Sequence, residues 1–537
     1  MIPHKKTLTL VLLGLITLAF AQVDTAWTRR WTSSGAYADY AYVMTVDNAG
    51  NVYAAGSVTF SSSSSRAQVI KYSTNGDVLW IWTDPYTGTF NERASSIVVA
   101  PSGNVYICGY TMRVNAGDYL IVKLNGETGD TIWFRTYDLP GTGGYDFARR
   151  IAIDASENVY VTGYGSRGTG YGTSDYGTIS YDANGNFRWA AFYDGGVAQG
   201  DQAYSIATDG SSVYVTGYSN PYATGLLYDI ITIKYNAATG DTAVASGGWV
   251  RRFNGVSDSA DYGRDITVDG SGNVYITGST KIGGTNTNDF VTIKYTSTGD
   301  VAWIRTYNGP DNLGDAGWWI KLDNSGNVYV YGNTTYSASD RGQDLCVVKY
   351  DNNGNQQWVA TYNGPNAYEI CPDETGQNPM VLDASGNIYL VGTSKKAAPG
   401  VRNDIVTLKY NSSGNFQWEV RYDYNNMDSS ETAKSVGVDN AGNVYFAGHG
   451  NGLGTYIDWV VGKIIQGAPS SYTITANAYG PGTIVPSGLV IVPVGEDTTF
   501  TITPNLHAQL DSLVVDGINH GSDSTTYRFE DVTSNHT

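Results

Sequence analysis

The sequence predicts an all-β chain built from one four-stranded unit repeated eight times, and three observations predict it. The first is Val268-Asp269-Gly270-Ser271-Gly272-Asn273-Val274-Tyr275-Ile276-Thr277-Gly278, close copies of which recur along the chain. Their tyrosines are Tyr53, Tyr106, Tyr160, Tyr214, Tyr275, Tyr329, Tyr389 and Tyr445, spaced 53 to 61 residues apart. A fixed period near fifty residues carried by strand-type sequence marks a propeller or solenoid array. The second is composition: 65 Gly and 42 Tyr among 537 residues, with only 15% charged, suit many short strands joined by turns. The third is another signature after each tyrosine, seen as Asp289-Phe290-Val291-Thr292-Ile293-Lys294-Tyr295, then Gly299, Asp300, Trp303 and Tyr307.

Residues 1–21 open with His4-Lys5-Lys6, run apolar from Leu8 to Phe20 and end Ala19-Phe20-Ala21, which reads as a secretory signal peptide. No later apolar run reaches the roughly 18 residues of a membrane span. The protein is expected to be secreted or held at the cell surface. A net charge of −18 without clustered Lys or Arg excludes nucleic acid and anionic membranes as partners.

Within each unit the Asp-Gly/Ser-Asn cluster makes a tight hairpin turn, because Asp bonds its own backbone two residues on and Gly accepts positive φ. The units carry Trp80, Trp133, Trp189, Trp249, Trp303, Trp358 and Trp418, read as packing between neighbouring units. The last unit, through Asp458 to Lys463, lacks its Trp strand, and Trp27-Thr28-Arg29-Arg30-Trp31 supplies one at the other end. Residues 22–465 therefore read as an eight-bladed β-propeller of four-stranded blades, closed by the N-terminal strand so that no edge is left unpaired.

These residues resemble the bacterial SBBP beta-propeller repeats, with their Asp-x-x-Gly-Asn-Val-Tyr-Val-x-Gly pattern. That family is named for seven blades, which keeps seven as the alternative count, and the resemblance implies an exported or cell-surface binding scaffold without shared catalytic residues. After a linker at 466–471 the period disappears. Residues 472–537, with Tyr472-Thr473-Ile474-Thr475-Ala476, Phe500-Thr501-Ile502-Thr503-Pro504 and Val514-Val515-Asp516-Gly517, look like an internalin B-repeat-like module that stops inside its domain.

Eight residues before each turn position stands an acid: Asp39, Glu92, Asp146, Asp201, Asp261, Asp315 and Glu431, with Thr375 beside Glu374 in the seventh unit. On innermost strands these would ring one mouth of the central channel. Two readings stand: a calcium site or electrostatic funnel, or carboxylates that each bond backbone. A second set, Asp118, Asp175, Asp229, Asp289, Asp344, Asp404 and Asp458, starts the third strands and reads as structural.

No cofactor is expected. The variable loops on one face are expected to present a binding or adhesion surface to a glycan or surface protein. The competing reading is a propeller enzyme, either carboxylate-based and acting on polysaccharide or quinoprotein-like. Gly129-Asp130-Thr131-Ile132-Trp133 is similar to the Gly-x-x-x-Trp motif of quinoprotein alcohol dehydrogenases, but Cys108, Cys346 and Cys371 are scattered rather than adjacent. A Cys346–Cys371 bond is left open. His449 alone in the propeller leaves histidine-based relays and metal sites poorly supplied.

Overall fold

A computed structural model describes residues 6–9, 23–33, 37–86, 88, 90–114, 116–140, 143–167, 174–196, 200–221, 227–255, 259–281, 287–336, 342–364, 369–372, 377–395, 403–423, 430–451, 456–466, 471–493, 497–516, 518–522, 525–530, 532 and 536. The chain divides into two compact units, Thr25–Ile464 and a smaller one comprising Ile465–Thr537 with Met1–Asp24. Most of the expected export signal, Glu374, Thr375, and the tips of the variable loops (168–173, 222–226, 282–286, 337–341, 396–402 and 452–455) lie outside the described residues.

In the larger unit the described residues form eight antiparallel sheets of one build, numbered here in chain order: sheet 1 (40–83), sheet 2 (92–137), sheet 3 (143–193), sheet 4 (202–253), sheet 5 (262–307), sheet 6 (316–362), sheet 7 (369–422) and sheet 8 (431–466). Strands follow one another in order across each sheet, and sheet 8 takes Val23–Trp31 as its fourth strand beside Ile457–Gln466. This is a β-propeller closed by the N-terminal strand. In sheet 7 the first strand is split into Glu369–Ile370 and Met380–Leu382, both paired with Ile388–Lys395.

Turn chemistry holds each hairpin. Asp269 Oδ1 accepts from the amides of Ser271 and Asn273, while Oδ2 accepts from Asn273 Nδ2 and from the Tyr275 hydroxyl at 3.0 Å. The same bonds recur around Asp47, Asp154, Asp323, Asp383 and Asp439. The Asp therefore fixes the turn and anchors the buried tyrosine that defines the repeat.

Tryptophan joins one sheet to the next. The indole N–H of Trp27, Trp80, Trp133, Trp189, Trp249, Trp303 and Trp358 donates to a carbonyl in the following sheet's last hairpin turn, at 3.0 to 3.4 Å. Its ring lies against that turn's glycine. A Cβ added at Gly76 would come within 2.6 Å of Trp27, and Gly76 has φ of 82°, so space and backbone both demand glycine.

Sheets 8 and 1 meet in the same way as the others. Trp27 packs between Tyr72 and Tyr445, Ser435 Oγ accepts from the Met44 amide, and His449 Nδ1 lies 3.1 Å from the Ala41 carbonyl. His449, expected in a solvated loop, sits on a strand at this seam. Cys108, Cys346 and Cys371 are all free and buried, so Cys346 and Cys371 are not bonded to each other.

The smaller unit has its own core of Ile474, Ile484, Val492, Phe500, Ile502, Leu510 and Phe529. Ser471–Ala476 pairs with Gly488–Pro493, and Thr498–Pro504 is flanked by Gly482–Val485 and Thr526–Phe529. Lys6–Thr9, from the expected signal, pairs in parallel with Ala508–Ser512, a pairing that cleavage near Ala21 would remove. Among the described residues no helix is long and apolar enough to cross a membrane.

Trp27→Ala is expected to lower unfolding free energy by about 3–5 kcal/mol, since it empties a packed aromatic site and opens the closing seam. Urea denaturation of the intact chain measures it, and a change below 1 kcal/mol would contradict closure by this strand.

Candidate functional site: an arginine and aromatic belt at the channel mouth

The first strand is the edge of each sheet, and neighbouring first strands pack together around the axis. All but the split one carry a β-bulge at one place, between Ala41 and Val43, Ala94 and Ser96, Ala148 and Arg150, Ala203 and Ser205, Gly263 and Asp265, Gly317 and Trp319, and Ala433 and Ser435. Opposite each bulge the second strand holds a glycine because the backbones approach closely: a Cβ at Gly278 would lie 1.8 Å from the Tyr262 carbonyl oxygen.

The acids stand at the expected end of these strands, but their carboxylates are buried in the junctions between sheets. Asp39, Glu92, Asp146, Asp201, Asp261, Asp315 and Glu431 are at most 2% exposed. Asp261 shows the arrangement: Oδ2 accepts from the Gly255 amide at 2.5 Å, and Oδ1 from the Thr280 hydroxyl at 2.7 Å. Asp315 bonds Gly309 and Thr334, Asp39 bonds Ser33 and Thr59, and Asp201 bonds Gly195 and Asn220 in like manner. Glu92 accepts from Thr111 and Arg113, while Asp146 accepts from the Leu139 amide.

These carboxylates tie the exit of one sheet to the entry of the next. Asp39, Asp146, Asp201, Asp261 and Asp315 each accept a backbone amide, whereas Glu92 accepts from side chains. Burial raises Asp201 to about 6 and Asp146 to about 8, the latter with a further push from Asp138 and Asp118.

The eighth acid is Glu369, which the eight-residue count missed. It is fully buried, and Ser394 Oγ donates to it at 2.9 Å, as Thr280 does to Asp261. Extra residues between Glu369 and Met380 split the strand and shift the count. Counting forward from Tyr362-Asn363-Gly364, which repeats Tyr307-Asn308-Gly309 ahead of Asp315, falls on Ile370, one residue past Glu369.

The mouth belongs to residues one and three positions after the acids: Tyr42, Arg93, Phe147, Arg149, Tyr262, Arg264 and Trp318 are half-buried, while Ser95, Tyr204 and Lys434 are buried. Arg93 lies over Tyr42 and Tyr110, Arg149 over Tyr164 and Tyr204, and Arg264 over Tyr204, Tyr262 and Trp318, all with ring centroids 4.5 to 5.4 Å away. Phe147 bridges Tyr110 and Tyr164. Guanidinium and ring thus alternate from sheet 1 to sheet 6. Beside Trp318 a cavity of about 460 Å³, bounded by Asn288, Asp315, Asn333, Gln343 and Ile370, opens where sheets 5, 6 and 7 meet.

Below the belt the channel is filled. Arg150 of sheet 3 lies over Trp319 of sheet 6, Lys321 donates to Asn378, and Gln377 Oε1 accepts from the Ser96 hydroxyl and the Ile97 amide. The Arg150 and Gln377 contacts join sheets that are not neighbours in the ring, so the mouth is a basin with a floor.

Residues 248–290 match the family model of SBBP, described as a beta-propeller repeat. No curated protein matches the chain. Among solved structures, Chaetomium thermophilum Sqt1 bound to the N-terminus of ribosomal protein L10 is 8% identical, with 80% of this chain and 97% of that one covered and a TM-score of 0.46. The WD40 domain of SCAP from fission yeast is 8% identical, with 83% and 98% covered and a TM-score of 0.43. The β-propeller domain of the Trilobed protease from Pyrococcus furiosus, described as having an open velcro topology, is 8% identical, with 72% and 99% covered and a TM-score of 0.41.

Burial raises the Asp344 carboxyl from 3.8 to about 6. A carboxyl that holds its proton more tightly folded than unfolded lowers stability as pH rises between those two values. Asp344→Asn is expected to flatten that fall, which amounts to about 2 kcal/mol between pH 4 and 6. Urea titrations across this range measure the slope, and an unchanged slope refutes the assignment.

Proposed function

We propose that this protein is an exported, non-catalytic binding protein whose eight sheets form a complete eight-bladed ring, and that the basin at its mouth receives an extracellular glycan bearing carboxylates. The alternating arginines and rings from Tyr42 to Trp318 carry this reading. Sugar rings present apolar C–H faces that stack on aromatic side chains, and guanidinium groups pair with carboxylates through two parallel hydrogen bonds. Local positive charge in a protein of net charge −18 selects short-range anionic ligands over a polyanion's long-range field.

The basin's floor supports binding from one side rather than passage. The acids around it are buried and most are held by amide and hydroxyl donors, which supports binding over carboxylate-based hydrolysis. The residues of the signal-type segment 1–21 support export, and the variable sequences between second and third strands supply the selectivity.

A glycan array of uronate-bearing and neutral polysaccharides tests the reading. Uronate-bearing members are expected to bind, and Arg264→Ala to weaken binding about tenfold with the melting temperature held within a few degrees. Absence of any glycan binder, with a protein retained instead in a pull-down from the cell envelope, would overturn it.

A further inference from the structure

The eight junctions are copies of one design, so each can be compared with its sisters. Three positions contribute acids: the start of the third strand, the residue five after the tryptophan, and the buried acid of the next sheet. At the junction of sheets 4 and 5 they are Asp229, Asn254 and Asp261, with Arg252 paired to Asp229 and the Thr280 hydroxyl on Asp261. At sheets 5 and 6, and 6 and 7, Asn308 and Asn363 again stand in place of the middle acid. Arg30 pairs with Asp458, and Arg421 with Asp404. At sheets 1 and 2, Arg113 bridges Asp84 and Glu92.

Acids fill all three positions at the junctions of sheets 2 and 3, 3 and 4, and 7 and 8, the last of them with Arg421. At the first of these, Asp118, Asp138 and Asp146 each bring a carboxylate oxygen within 4.8 Å of the others. Thr136 occupies the place of the arginine. Among the described residues neither Asp118 nor Asp138 has a cationic partner.

A separate difference points into the same cluster. The hydroxyl that Thr280 or Thr334 supplies in sister sheets is replaced by Gly165, and Asp146 Oδ1, on a residue with no exposed surface, has no hydrogen-bond partner. Gly165 is paired with Asp146 in the ladder, and a Cβ there would come within 2.2 Å of that oxygen. The substitution strips Oδ1 of its donor, while Oδ2 keeps the Leu139 amide.

We infer that Asp118, Asp138 and Asp146 form a calcium site between sheets 2 and 3, with the cation doing there what arginine does at the sister junctions. Three oxygens bound at 2.3–2.6 Å to one centre lie no more than about 5 Å apart, as these do. The donor set contains no sulfur or imidazole, which selects a hard cation over zinc or copper. Exposed Asp138 leaves room for water to complete the six to eight ligands calcium takes. The site is independent of the glycan reading.

Calorimetric titration of the chelator-treated full chain with calcium chloride tests it, together with thermal melting in calcium and in chelator. Binding in the range of about 0.1–1 mM is expected, with a rise in melting temperature of several degrees that chelator reverses. Asp138→Asn installs the residue that three sister junctions carry, at an exposed position, and should weaken this binding at least about tenfold. Asp194→Asn, in the neighbouring Asp175, Asp194 and Asp201 cluster where the Asn220 amide bonds Asp201, should leave it unchanged. Thr136→Arg should raise the melting temperature in chelator and abolish the calcium response. No heat and no shift at about 10 mM calcium, or wild-type binding by a folded Asp138→Asn variant, would overturn the site.

Discussion

The contact that seven of the tryptophans, Trp27 to Trp358, make with the turn glycine of the next sheet is the constraint on which the larger unit depends. One glycine meets two demands, a positive φ that closes the hairpin and a missing Cβ that admits the indole. The indole N–H then satisfies a carbonyl of that same turn, so packing and hydrogen bonding act at one point. Because the contact runs from a sheet to its successor, it has a direction. The N-terminal strand must supply the last tryptophan, and Trp27 does so on Gly76.

Around the axis, the β-bulge decides what the molecule can offer a ligand. Small residues, Ala or Gly, sit beside each bulge where neighbouring sheets converge, and the second-strand glycine lets the two backbones close on each other. Side chains flanking this point divide into two populations. The acids turn into the junctions and hold the ring together, while Arg93, Arg149, Arg264 and the rings between them form the mouth. A single register thus separates the residues that hold the ring from those that meet solvent.

Repetition also makes the exceptions legible. A carboxylate buried at a sheet junction must be bonded or neutralised. Most junctions do this with an amide, a hydroxyl or an arginine, and the departures at Glu369 and at Asp146 are visible against sisters such as Asp261 and Asp315. At Glu369 the departure is an inserted segment that leaves the chemistry intact. At Asp146 the chemistry changes, and the ladder carries a second irregularity between Gly143 and Asp146.

The sequence by itself determined the repeat, the four strands of each unit, the turn role of its Asp, the inter-sheet role of its tryptophan and the need for an N-terminal closing strand. Each of these follows from local periodicity or from a residue type whose physics is the same in every copy, as Asp269 and Gly299 illustrate. Tertiary structure alone decided which way the conserved-looking acids point, that Arg93 and Arg264 lie over rings from neighbouring sheets, and that Gln377 and Arg150 close the channel. Those outcomes depend on a bulge that shifts register by one residue, and on contacts between side chains far apart in sequence, which no local pattern encodes.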